Sequence, residues 1–270
     1  MKKLLVALLL FTVVSRGHAE DSAAAGRQVR TKNQDAIVTV KLVVNFNISH
    51  GGRDQQNESK TEAIGVVIDP AGLTVISLST IDPSTLMKAQ MRGRQQDMKI
   101  ESEVKDAKIV LADNTEIPAE VVLRDKDLDV AYLRPTEKPA KPLAAIDLTK
   151  AVKPQLLDEV ITLNRLGKVA NRVVAVSVER IVALVDRPRP FYVLGPGGAS
   201  GIGSPVFALS GAPLGIILIR NAPTDGEANV ASMFSGASGS LGFMPIIVPA
   251  ADLLEDAKQA LEAKKPATDK

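Results

Sequence analysis

The sequence predicts an all-β fold, a sandwich or a barrel, on three observations. Short β-branched runs recur along the chain, Gly, Pro, Asn and Asp punctuate them, and helical periods are scarce before residue 250. With 270 residues and 45% hydrophobic content, the chain can bury one large core or two smaller ones sharing an interface. That apolar content excludes a disordered tail protein.

The elements follow in order. Ala36–Asn47 alternates as AIVTVKLVVNFN and predicts a long strand. Asn47–Lys60 is polar and predicts a loop. Ala63–Asp69 and Leu73–Leu78 predict two strands joined by the turn Asp69-Pro70-Ala71-Gly72. Pro83–Lys108 holds six basic and four acidic residues without a clear period, which predicts a solvated insertion carrying an extra strand or short helix. Lys108–Ala112 and Glu116–Leu123 flank Asp113-Asn114-Thr115 and predict a hairpin. Strands are expected at Val130–Arg134, Glu159–Leu163, Arg172–Val185, Phe191–Leu194, Pro205–Leu209 and Leu214–Ile219. The proline-bearing stretch Pro135–Pro154 reads as a crossing between domains. Ala250–Lys264 places Leu253, Leu254, Ala257 and Leu261 at helical spacing, with acids near its start and Lys264-Lys265 at its end, which suits a helix macrodipole.

The N-terminus has another character. Lys2-Lys3 precede an apolar run, Leu4–Val14, and the small residues Gly17 and Ala19, the pattern of a secretory signal peptide over residues 1–19. The apolar run is too short to span a bilayer comfortably. Cleavage after Ala19 removes Lys2, Lys3 and Arg16 and no acid, so a net charge of +2 becomes −1. The mature chain would be exported, periplasmic or extracellular, with no membrane span. Residues 20–35 are small and polar and predict a flexible lead-in.

Composition excludes several chemistries. There is no cysteine, hence no disulfide scaffold, thiolate metal site or cysteine nucleophile. The predicted mature chain keeps His50 as its one histidine, which leaves no ligand set for zinc, and no metal or other cofactor is expected. Near-neutral charge and 3% aromatic residues give no reason to expect nucleic acid as a partner. Gly195-Pro196-Gly197-Gly198 is followed by no Lys-Ser/Thr and is not a phosphate-binding loop. Asp113-Asn114-Thr115 lacks the acidic ladder of a calcium loop.

Five segments, in order, carry a resemblance to a known family. These are Gly65–Leu73 (GVVIDPAGL), Leu111–Val122 (LADNTEIPAEVV), Arg124–Leu133 (RDKDLDVAYL), Gly201–Phe207 (GIGSPVF), and Gly211–Ile216 (GAPLGI) continued by Leu241-Gly242-Phe243. Together they resemble trypsin-like serine peptidases of the HtrA/Deg type over about residues 35–262. The resemblance implies a two-barrel trypsin-like fold with a C-terminal helix. It implies an N-terminal barrel over residues 36–136 including the insertion at 83–108, a crossing segment at 137–146, a second barrel over 147–249, and a helix and tail at 250–270. No PDZ module is expected after the second barrel.

The family's chemistry needs a serine nucleophile, a histidine base and an aspartate that orients the imidazole. Carried over position by position, the aspartate falls on Asp129, the histidine position on Ser79, and the nucleophile position on Ile202. A serine hydroxyl is no useful base at neutral pH, and isoleucine has no nucleophilic atom. An alternative register over Gly198-Ala199-Ser200-Gly201 makes Ser200 the nucleophile, and His50 would then have to act as base. The resemblance therefore implies an exported protease homologue without activity, a pseudoprotease that binds a polypeptide or protein partner. Two alternatives stand beside it: an active serine endopeptidase using Ser200, and a structural module whose cleft is closed by Pro83–Lys108.

Overall fold

A computed structural model of the chain describes residues 21–50, 53–84, 99–195, 201–221 and 243–263. Strands β1 (Ile37–His50), β2 (Arg53–Val67), β3 (Thr74–Ser77), β4 (Lys99–Val110), β5 (Glu116–Asp125) and β6 (Val130–Pro135) form a closed antiparallel barrel in the order β1-β2-β3-β6-β5-β4. Strands β7 (Glu159–Arg165), β8 (Val174–Val185), β9 (Phe191–Leu194), β10 (Pro205–Ala208), β11 (Pro213–Asn221) and β12 (Phe243–Pro249) form a second, in the order β10-β11-β12-β9-β8-β7. A helix over residues 21–33, α1, precedes the first barrel, and α2 (Ala250–Glu262) follows the second. The all-β architecture expected from the short strand runs is the one observed.

Alternation explains how one strand serves two cores. Val38, Val40, Leu42 and Val44 of β1 turn into the first barrel with Val67, Ile76, Ile109 and Leu133. Ile37, Val66 and Tyr132 belong instead to a larger cluster shared with Ile161, Leu163, Phe207 and Leu218 of the second barrel and with Leu253 and Ala257 of α2. Val160, Ile181, Val206 and Ile217 fill the second barrel. The shared cluster makes the two barrels one packed body.

Polar anchors sit across that joint. The buried Arg165 donates from Nε to Ile37 O at 2.5 Å and from Nη1 to Arg172 O at 3.0 Å. Tyr132 Oη donates to Leu253 O at 2.7 Å, tying β6 to α2. Both groups are satisfied by main-chain carbonyls, which a buried donor requires.

Three expectations are corrected. The lead-in over residues 20–35, expected to be flexible, is helical over residues 21–33. Its buried positions are Ser22, Gly26, Val29 and Asn33, a helical spacing carried mostly by small and polar residues, so hydrophobic periodicity did not reveal it. Ser22 Oγ donates to Glu159 Oε2, and Gly26 lies against Val176, which docks α1 on the second barrel.

The stretch Asn47–Lys60, expected to be a loop, is strand over residues 47–50 and 53–60. β1 and β2 stay in register from Ile37↔Val66 to His50↔Arg53. Main-chain pairing does not require apolar side chains, and β4 pairs the other edge of β1 from Thr39↔Val110 to Ser49↔Lys99. The insertion at Pro83–Lys108 is likewise part of the barrel from Lys99 on, because β4 is one of its six strands. Residues 85–98 lie outside the described residues, as do the predicted signal peptide at 1–19 and the glycine-rich stretch beyond Gly195.

Candidate functional site

The site is assembled where β3 ends and β6 begins. Ser77, the last residue of β3, pairs with Val130, the first of β6. A short 3-10 turn, Leu78–Thr80, then carries the chain away, and Leu78 N donates to Asp129 O at 2.8 Å. Ahead of β6, Asp125 Oδ1 accepts from Asp127 N at 2.7 Å and from Leu128 N at 3.0 Å, building the turn that presents Asp129. Asp129 has φ 57°, a left-handed conformation that Asp tolerates better than most residues.

Asp129 is only 4% exposed, yet its carboxylate is fully engaged. Oδ1 accepts from Ser79 Oγ at 2.5 Å and from Ser79 N at 2.8 Å. Oδ2 accepts from Ser77 Oγ at 2.6 Å and from Ile219 N, on β11 of the second barrel, at 3.0 Å. Burial pushes the carboxyl above its ordinary value, and the Ser77 and Ser79 hydroxyls and the two amides oppose that shift. The sequence singled out Asp129 and Ser79, and they are in direct contact. It missed Ser77, whose signal was a polar residue inside the apolar run Leu73–Leu78. Ile219 left no signal, because it contributes only its main-chain amide.

Ile202 lies on a tight turn at the barrel joint. Ser204 N donates to Gly201 O at 2.8 Å, Gly203 N to Ile217 O at 2.7 Å, and Ile217 N to Ser204 O at 2.9 Å. Gly203 has φ +90°, and a Cβ there would stand 2.7 Å from Ile64 O of β2. Only glycine lets this turn meet the first barrel so closely. Ile202 itself is partly buried, while Ser204 is fully buried and its Oγ has no hydrogen-bond partner among the described residues.

The remaining candidates are not brought to this place by the described residues. Ser200 lies outside them. His50 ends β1 opposite Arg53, thirteen positions beyond Ile37, where β1 meets the Val66 that adjoins β3. That is more than about 30 Å of strand path from the β3 side of the barrel.

No protein-family model matches the chain, and no curated protein matches it by sequence. Among solved structures it is similar to an HtrA-type protease, AlgWS227A with tripeptide, at a TM-score of 0.51 and 15% identity. That likeness covers 87% of this chain and 62% of the other, so this chain spans less than two thirds of that protein's length. At this identity the likeness concerns architecture.

Proposed function

We propose that this chain, which has the two-barrel trypsin-like fold with two closed six-stranded antiparallel barrels and a C-terminal helix, is an exported pseudoprotease that binds an extended polypeptide without cleaving it. One observation carries this reading: Oδ1 of Asp129 is taken by the hydroxyl and amide of Ser79, where a triad would offer it to an imidazole. Asp129, Ser79 and Ile202 are then the three triad positions, two of them emptied of chemistry. A carboxylate held by four donors still organises the barrel joint, which explains why it remains without its catalytic partners.

The binding half of the proposal rests on the strand beside that carboxylate. β11 pairs with β10 only as far as Ile216. Further along, Ile217 bonds the Gly201–Ser204 turn, Ile219 N reaches Asp129, and the strand runs on to Arg220 and Asn221 while its other edge stays paired to β12. Ile217 and the Ile219 amide are thus committed, and the main-chain groups of that edge beyond them, toward Asn221, suit strand addition by an extended peptide.

The test uses the mature chain. A fluorophosphonate probe is expected to leave it unlabelled, and unfolded casein is expected to bind saturably and remain intact. The double substitution Ser79→His with Ile202→Ser is expected to introduce labelling and slow cleavage. Labelling of the unsubstituted protein that disappears in Ser200→Ala would establish the active-peptidase reading instead.

A further inference from the structure

The joint between α2 and the two barrels holds an uneven set of charges. Asp256, on the second turn of α2, is partly buried, and its Oδ2 is shielded from solvent with no hydrogen-bond partner. The charged groups that act on it come from β5, from α2 itself and from the segment between β8 and β9. Asp125 of β5 is the carboxyl with the strongest effect, Glu255 adds a second negative charge from the helix itself, and Arg189, between β8 and β9, is the cation that opposes them. The Tyr132 hydroxyl of β6 also lies in this field but is committed to Leu253 O. Asp252, one turn earlier on α2, shares Arg189 and Glu255. One guanidinium thus serves several acids.

A shielded carboxylate oxygen without a donor is costly, and a second carboxylate beside it makes the cost larger. One proton relieves both, since a protonated carboxyl can donate to its neighbour. We propose that Asp256, set against Asp125, takes up one proton as α2 docks, so that acidification latches the C-terminal helix onto the barrels. The pair couples to the candidate site through Asp125, whose other role is to accept from Asp127 N and Leu128 N in the turn leading to Asp129.

The sign follows from linkage. Burial, Asp125 and Glu255 raise Asp256 to about 6, with Arg189 opposing. A folded-state value above the unfolded one means that docking is favoured below about pH 6 and loses this contribution as pH rises through that value. Below the ordinary carboxylate range, near about pH 4, the contribution is complete and flat. With one proton linked, the docking constant changes at most tenfold per pH unit, or about 1.4 kcal/mol.

The experiment is hydrogen exchange of the full mature chain, with rates corrected for intrinsic exchange, read at the amides of α2. Protection is expected to be about ninefold higher at pH 5 than at pH 7. Asp256→Asn, which donates to Asp125 at every pH, is expected to give the high protection at both. Asp125→Asn is expected to flatten the profile in the same way. The proposal is overturned if protection of α2 does not change between these pH values, if Asp256→Asn keeps the unsubstituted protein's pH dependence, or if it undocks the helix at pH 7. Peptide binding does not enter the measurement, so its outcome is independent of the function proposed above.

Discussion

A buried carboxylate without a cation beside it would ordinarily be left as an unpaired charge. At Asp129 that has not happened, because two hydroxyls and two amides surround it. Each of those donors would be stranded by Asp129→Ala, and φ 57° is unfavourable for alanine. The substitution is expected to lower unfolding free energy by about 3 kcal/mol, since each stranded buried group costs about 1–3 kcal/mol. Asp129→Asn should cost less, because asparagine tolerates the backbone conformation and keeps one acceptor oxygen. Denaturant unfolding of both variants checks the ordering, and equal losses would mean that the hydrogen bonds are not the source of stability.

At the scale of elements, the turn Gly201–Ser204 sets how closely the second barrel approaches the first. Its left-handed glycine, Gly203, faces Ile64 O with no room for a methyl group. Gly203→Ala must therefore strain the backbone and push β2 away, and about 2–4 kcal/mol of destabilisation is expected. Thermal unfolding gives the magnitude. The outer part of the β1–β2 hairpin, within Asn47–Lys60, and the α1 helix teach a related lesson about sequence. Polar or small residues predict irregular structure for both, and both are regular where described because main-chain pairing and close helix contact do not depend on large apolar groups.

For the whole molecule, the two barrels behave as one body because a common cluster and Arg165 span the joint. Arg165 reaches across to Ile37 O while also holding Arg172 O, although burial disfavours its charge. Arg165→Leu would keep much of the volume and leave those carbonyls unpaired. A loss of about 2–4 kcal/mol is expected, together with faster proteolysis near residues 136–158, which connect the barrels. If unfolding stays as cooperative and as stable as in the unsubstituted chain, the joint is held by the apolar cluster alone.

The linear chain already specified the strand runs, their turns and the ordered segments that lead to two barrels, because alternation and turn chemistry act over a few residues. It also singled out Asp129 and Ser79, which the fold brings into contact. Folding decided the rest. Ser77 and the amide of Ile219 reach Asp129 only when β3, β6 and β11 converge, and Asp256 meets Asp125 only when α2 returns to the first barrel. Those contacts join residues far apart along the backbone, so nothing local encodes them, and their energies depend on a burial that exists only once the barrels have closed.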